Sequence, residues 1–285
     1  MKENLFLSAL HVLPKRTLSR LMGSFARSPL SRRLIPFYIR RFDVDLSQVE
    51  KPASQYESLM EFFVRGLKEG ARPVDPDPRM VVSPVDGTVS QAGTVEEDTL
   101  IQAKGVQYSL EALLGGAGTD VDSFRGGSYL TVYLSPRDYH RIHTPVAGRV
   151  THLTWIPGTL FPVNEMGVRR IPGLFTRNER LITYMETKAG RMALVKVGAT
   201  NVGSIRVSYD PDILTNRRGK KSPVRREYRE IAVWEKGEEM GRFEFGSTVI
   251  LLFQARSVQW LEPIRPGGRV QMGQPIGQLI DVPES

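Results

Sequence analysis

Cysteine is absent from all 285 residues, which excludes disulfides, thiol catalysis and Cys-ligated metals. Long apolar runs are absent too: no stretch approaches the roughly 18 residues that a membrane-spanning helix needs. Histidine is scarce, with only His11, His140, His143 and His152, and the local pair His140/His143 is too small to hold a metal without further ligands. The Gly-x-Ser-x-Gly elbow of conventional serine hydrolases is missing. Acidic residues are missing from Asn4 to Phe42, where Lys15, Arg16, Arg20, Arg27, Arg32, Arg33, Arg40 and Arg41 supply eight positive charges. No recognised nucleic-acid-binding motif accompanies that basic segment, so the reading includes no nucleic-acid partner.

What is there begins with that segment. Lys2 and Glu3 cancel, so the segment carries the whole formal charge of +8 and residues 43–285 sum to zero. Three stretches are amphipathic at helical spacing: residues 5–13 up to Pro14, residues 15–27 with Leu18, Leu21, Met22 and Phe25 in one stripe, and residues 32–42. Basic amphipathic helices lie in the membrane interface, apolar face down and cations against anionic headgroups, each contributing ~1 kcal/mol there. Packing on the body of the protein, a partner interface and a targeting sequence are the competing readings.

The chain then changes texture. Ser54-Gln55-Tyr56-Glu57 reads as a capping box opening a helix with Tyr56, Leu59, Met60, Phe63 and Leu67 on one face. The proline-punctuated run 72–78 separates an N-terminal helical region, residues 1–72, from a body at 79–285. Beyond residue 79, short β-rich runs at 80–90, 127–134, 149–156, 192–199, 202–208, 229–234, 248–253 and 269–280 predict a barrel or sandwich-like core, with a helical insert at 108–115. The fold class is therefore α+β. Ser83-Pro84-Val85-Asp86-Gly87-Thr88-Val89 is echoed by Thr144-Pro145-Val146-Ala147-Gly148-Arg149-Val150, which predicts two equivalent corners of a duplicated β unit, only the first with an Asp. Residues 210–229 are basic and read as a loop.

Phe243-Glu244-Phe245-Gly246-Ser247-Thr248 leads into Val249-Ile250-Leu251-Leu252-Phe253, a run that reads as a buried strand entered directly from a serine. A hydroxyl so placed is held rigidly, although a tight turn before a core strand would look the same. Leu134-Ser135-Pro136-Arg137-Asp138-Tyr139-His140-Arg141-Ile142-His143-Thr144-Pro145 sets two imidazoles beside the second corner. Imidazole carries protons both ways near neutrality, so the pair suggests proton chemistry, against the alternative of two structural histidines.

In combination, Ser83 to Gly87, Leu134 to Pro145 and Phe245 to Thr248 closely resemble the phosphatidylserine decarboxylase family. The resemblance extends to Phe62-Phe63-Val64-Arg65, Gly70-Ala71-Arg72-Pro73, Tyr108 to Gly115, Leu174 to Arg180 and Val197 to Ile205, so it runs from about residue 54 to the C-terminus. It implies a precursor that cuts itself between Gly246 and Ser247 into a β chain, 1–246, and an α chain, 247–285. Asp86, His143 and Ser247 would form the self-processing triad, and Ser247 would become a covalent pyruvoyl cofactor; no metal is implied. His140 would be the acid that protonates carbon after CO₂ leaves, and Phe161 and Asn178 would help shape the headgroup site. The resemblance further implies conversion of phosphatidylserine to phosphatidylethanolamine by a peripheral enzyme on the inner face of a bacterial cell membrane, on an anionic phospholipid surface. A related serine-headgroup lipid such as archaetidylserine, an inactive membrane-docked relative and a homodimer are left open.

Overall fold

The apolar run becomes the strand Ser247–Phe253, whose seven residues are all buried. The protein is seen in a computed structural model, which describes residues 15–103, 106–200, 204–213, 215–216, 222–229, 233–245 and 247–280. Strand Ser247–Phe253 lies inside a nine-stranded antiparallel sheet, between Gly190–Gly198 and Ser128–Leu134. Arg180–Thr187, Gly148–Ile156 and Val224–Glu227 continue the sheet on one side, Gly87–Thr94 and Arg269–Val270 on the other, and Val233–Trp234 also pairs with Gly148–Ile156. Side chains alternate faces along a strand. Val249, Leu251 and Phe253 accordingly enter one core, while Ile250 and Leu252 enter a second one with Leu110, Leu113, Leu174 and Phe175 from short helices. Both faces of the strand are covered, which is why it reads as a continuous apolar run.

The two echoed corners are joined reciprocally. Val82 N–H donates to Pro145 O and His143 N–H donates to Pro84 O, both at 2.9 Å. Each corner feeds a strand of the large sheet through its glycine. A Cβ on Gly87 would stand 2.5 Å from Tyr133 O, and one on Gly148 would stand 2.6 Å from Glu186 O. Close approach of another backbone, not a left-handed turn, is what requires glycine here. A separate three-stranded sheet of Ser204–Val207, Glu239–Glu244 and Arg141–His143 carries the second histidine.

In the N-terminal region, helix Lys15–Arg27, the 3₁₀ turn Pro29–Leu34 and helix Ile35–Phe42 form a layer over their own cluster of Ile35, Tyr38, Val44, Val49, Tyr56, Phe62 and Phe63. The amphipathic stretch 5–13 falls outside the described residues. The capping box lies four residues later than expected. Ser58, not Ser54, caps helix Leu59–Phe63, with its Oγ accepting from Glu61 N–H and the Glu61 carboxylate accepting from Glu57 N–H. Residues 53–55 are a 3₁₀ turn, and Tyr56 is extended. The predicted insert is helix Leu110–Leu114, capped by Ser109 and closed by Gly115 at φ 90°. Part of the expected loop 210–229 is the strand Val224–Glu227.

Candidate active site

The reciprocal corners bring the backbone of His143 onto the turn that carries Asp86. Asp86 is buried, and its carboxylate is fully engaged: Arg72 Nε donates to both oxygens at 2.9 and 3.1 Å, Arg72 Nη2 to Oδ2 at 2.5 Å, and Met272 N–H to Oδ1 at 2.8 Å. His143 Nδ1 donates to Gly237 O at 2.8 Å, and Tyr139 O–H donates to His143 Nε2 at 3.1 Å. That pairing makes Nε2 the basic nitrogen. Burial pulls the His143 pKa below its ordinary value, opposed by the Gly237 bond and by the charges of Glu239 and Asp86. Among the described residues no hydrogen bond joins Asp86 to His143, or either to Ser247. Asp86 therefore reaches His143 here through its charge, not through a triad bond.

His140 has a different setting. Phe243 N–H donates to its carbonyl at 3.0 Å, tying it to the strand that runs on toward Ser247. The ring is fully buried, its Nδ1 donates to Asp138 O at 2.8 Å, and its Nε2 has no partner among the described residues. Burial pushes its pKa down to about 3, helped by the nearby Arg65 charge. Phe63 lies 4.0 Å from the His140 ring and 4.4 Å from the Phe245 ring, centre to centre, so three mutually tilted rings form a continuous stack.

That stack ends two residues before Ser247. Ser247 opens the central strand, opposite Leu134 on one side and Gly198 on the other. Its Oγ is buried and, like His140 Nε2, has no partner among the described residues. Phe245 stands at φ 80°, an unfavourable region for an aromatic residue that costs on the order of 1–3 kcal/mol. Backbone strain is thus located immediately before Gly246, itself outside the described residues.

Phe161 and Asn178 are buried and joined to each other. Asn178 Oδ1 accepts from Phe161 N–H at 2.9 Å, and Nδ2 donates to Phe161 O at 2.9 Å and to Gly198 O at 2.8 Å. The Asn178 amide thereby fastens the 157–162 loop to the residue facing Ser247; its polar atoms are engaged with protein.

Sequence reasoning had not singled out Tyr139, Arg72, Phe63 or Gly237. The first three stand inside the quoted motifs, where spacing gives no hint of which nitrogen or oxygen they meet. Gly237 contributes only a carbonyl and has no sequence signal. Arg65 was likewise missed: buried, it donates to Arg137 O at 2.7 Å and to Asp138 O at 3.2 Å, and so shares its second acceptor with His140.

A cavity of about 290 Å³ reaches this region from the helical layer, lined by Met22, Phe25, Leu34, Phe42, Phe63 and Phe245 among others. Three of its lining residues, Met22, Phe25 and Leu34, are exposed, and so are Leu21, Leu30 and Phe37 elsewhere on the helical layer; all six keep more than two-fifths of their surface open. The buried side of helix Lys15–Arg27 is made by Ser19, Gly23 and Ala26 instead. Among the described residues no helix is long and apolar enough to cross a membrane.

A family profile described as phosphatidylserine decarboxylase matches residues 59–278. A phosphatidylserine decarboxylase proenzyme of Brevibacillus brevis is 46% identical over 96% of this chain and 98% of its own length. Proenzymes of the same description from Anaeromyxobacter sp. and Myxococcus xanthus are 46% and 42% identical, over 97% and 98% of this chain and 99% and 100% of their own lengths.

Proposed function

This chain belongs to the phosphatidylserine decarboxylase family and is a decarboxylase, and from that premise we propose that it cuts itself between Gly246 and Ser247 and acts through a pyruvoyl group made from Ser247. The observation that carries the reading is the Ser247 hydroxyl: buried, without a partner among the described residues, and fixed at the first position of the central strand. A residue pinned on both sides by ladder partners can be converted in place without losing its position, and so it fits the cofactor.

For self-cleavage, His143 Nε2 takes the Ser247 proton, and Tyr139 must release that nitrogen first. The Ser247 oxygen attacks the Gly246 carbonyl, and the Asp86 charge stabilises the imidazolium that forms. The imidazolium gives its proton to the Ser247 nitrogen as the Gly246 C–N bond breaks, leaving the acyl group on oxygen. Elimination of the resulting ester leaves a dehydroalanine, and its hydrolysis gives ammonia and a pyruvoyl group on chain 247–285, separate from chain 1–246. Strain at Phe245 favours any step that frees the chain there.

Once formed, the pyruvoyl ketone supplies the electron sink for loss of CO₂. His140 supplies the proton traffic. Its neutral ring, donating through Nδ1 to Asp138 O, presents Nε2 as an acceptor. It takes a proton shed by the substrate ammonium and returns it to the carbon that has lost CO₂. Phe63 and Phe245 keep water from the ring, and Arg65 fixes the carbonyl that sets its tautomer.

The substrate in this reading is phosphatidylserine, the product phosphatidylethanolamine, and the place of action an anionic phospholipid surface at the inner face of a bacterial membrane. Residues 1–72 form the membrane-facing region and 79–285 the catalytic body. Support comes from helix Lys15–Arg27, which turns Ser19, Gly23 and Ala26 inward and Leu21, Met22 and Phe25 outward, in a layer that also exposes Arg32, Arg33, Arg40 and Arg41. A helix packed on the body would do the opposite. The apolar cavity leads from that face to the ring stack, so a headgroup can reach the site while its acyl chains stay in the bilayer.

Intact mass under denaturing conditions tests the reading. Two fragments split after Gly246, the smaller blocked by a pyruvoyl mass, are expected, and Ser247→Ala should remain a single inactive chain of 32.0 kDa. A cleaved, active Ser247→Ala would overturn the mechanism. Removing residues 1–42 should reduce binding to anionic vesicles, most strongly at low salt.

A further inference from the structure

Asp86 raises a problem that the triad roles leave unanswered. A carboxylate as buried as this one is stable as an anion only when its charge is matched and its lone pairs are filled. His143 supplies neither, because both its nitrogens are engaged elsewhere, by Gly237 O and by the Tyr139 hydroxyl. Arg72 supplies both.

Its planar fork meets Asp86 with Nε and Nη2, the two-pronged geometry that fixes a carboxylate in plane as well as in charge. The remaining nitrogen is held in turn: Arg72 Nη1 donates to Gln48 Oε1 at 2.5 Å and to Ala71 O at 2.8 Å. Gln48 belongs to the N-terminal layer, where its carbonyl accepts from Lys68 N–H at 2.9 Å. Both side chains of the pair are nearly covered, with 10% and 6% of their surface exposed, so solvent screens the interaction little. The Asp86 charge still acts on His143, whose backbone sits on the same turn.

The echoed corner provides an internal control. Ala147 stands where Asp86 stands, its corner makes the reciprocal backbone bond, and the position is exposed. The corner therefore forms without a carboxylate or an arginine. The Arg72–Asp86 pair is an addition to the fold at the corner whose Pro84 carbonyl accepts from His143 N–H.

We propose that Arg72 is a positioning residue for self-cleavage: it holds the Asp86 carboxylate in fixed orientation beside His143, and it anchors that carboxylate to the N-terminal layer through Gln48. This rests on the self-processing reading above. Arg72 touches neither Ser247 nor the substrate in this role, so it should matter for processing and not for turnover after processing.

The test follows conversion of the full-length precursor to its two fragments. Arg72→Ala should slow cleavage by about 10- to 100-fold, by analogy with the partners that orient metal ligands. Arg72→Lys, which keeps charge but loses the fork, should fall between. Millimolar guanidinium should restore part of the rate in Arg72→Ala and none in Asp86→Asn, with the melting temperature unchanged; a merely structural loss would not respond. Once cleaved, the Arg72 variants should decarboxylate with parental kcat and KM.

Parental or faster cleavage by Arg72→Ala, alongside a blocked Asp86→Asn, would overturn the positioning role and leave the triad standing. Absence of guanidinium rescue in a folded, slow Arg72→Ala would overturn it as well. Normal cleavage by Asp86→Asn would instead bring down the triad, and the role of Arg72 with it. If Arg72→Ala fails to fold, Arg72→Lys decides: cleavage at the parental rate rejects the fork, and a slowed rate supports it.

Discussion

His140 and His143 stand three residues apart and live in different chemical worlds. His143 lies on the small three-stranded sheet with both nitrogens engaged by protein, close to the charged pair Arg72–Asp86. His140 is buried beside Phe63, with one nitrogen tied to Asp138 O and the other without a partner among the described residues. Burial lowers the pKa of both, to about 3 for His140, where the Arg65 charge adds to burial and Asp138 opposes it. The difference teaches how one short motif can serve two reactions. A histidine near a fixed negative charge suits a step that builds an imidazolium. A neutral one in a dry pocket suits a step that borrows a proton and returns it.

The comparison breaks most visibly if the two rings are exchanged in role. His143→Ala should abolish self-cleavage, a loss of about 10⁴-fold or more on the scale of triad bases, leaving one chain on a denaturing gel. His140→Ala should still be cut, and once cut should decarboxylate about 10²- to 10⁴-fold more slowly. An uncut His140→Ala would mean that the proposed division between the rings is wrong.

A smaller effect separates them by pH. The folded pKa of His140 lies at about 3, below its value in the unfolded chain, so the unfolded state binds the extra proton between roughly pH 6.5 and pH 3. The stability tied to the neutral ring is present above that window and is lost as pH falls through it. Replacing the ring by a group that cannot titrate, His140→Leu, should make denaturant midpoints less sensitive to acid across the window, by about 2–4 kcal/mol relative to the parent. Parallel curves for parent and variant would show that the ring is hydrated after all.

The frame of this site was legible in the sequence, and its contacts were not. The echo of Ser83–Val89 in Thr144–Val150 foretold two corners that do bond reciprocally, whereas Asp86, His143 and Ser247, brought forward by the family resemblance, share no hydrogen bond among the described residues. The strand Ser247–Phe253 was legible because it is apolar on both faces. Arg180–Thr187, its neighbour but one, was missed: Arg180 and Glu186 interrupt the pattern, and Arg180 is buried by donating to the Leu113 and Ala112 carbonyls. The capping box was misplaced by four residues, because Ser54 and Glu57 satisfy the pattern locally while Ser58 and Glu61 satisfy it in a helix that packs. The partners of the histidines were illegible for a simpler reason. Gly237 O, Asp138 O and Pro84 O are backbone groups, and backbone acceptors leave no residue signature.

Lys196 offers the last and smallest way to sharpen the contrast. It is fully buried, its pKa is lowered to about 7 by burial alone, and its Nζ donates to Thr183 Oγ1 at 2.5 Å and to Leu194 O at 3.2 Å. It lies on the strand beside Ser247, yet its ammonium points back toward Thr183 and away from the hydroxyl's ladder partner Gly198. A shifted pKa therefore does not distinguish a working group from a trapped one; an open nitrogen or a poised partner does. Between about pH 7 and pH 10.5 the unfolded chain binds the lysine proton and the folded chain does not, so stability rises with pH through that window. Lys196→Met should accordingly stabilise the protein by about 1–2 kcal/mol at pH 7, with the gain shrinking toward pH 10.5, because Thr183 keeps its bond to Tyr209 O–H. Cleavage and decarboxylation should not change. If Lys196→Met instead lost either reaction, the distinction drawn between the two histidines and an idle buried cation would fail, and the polar chain Lys196–Thr183–Tyr209 would have to be counted as part of the site.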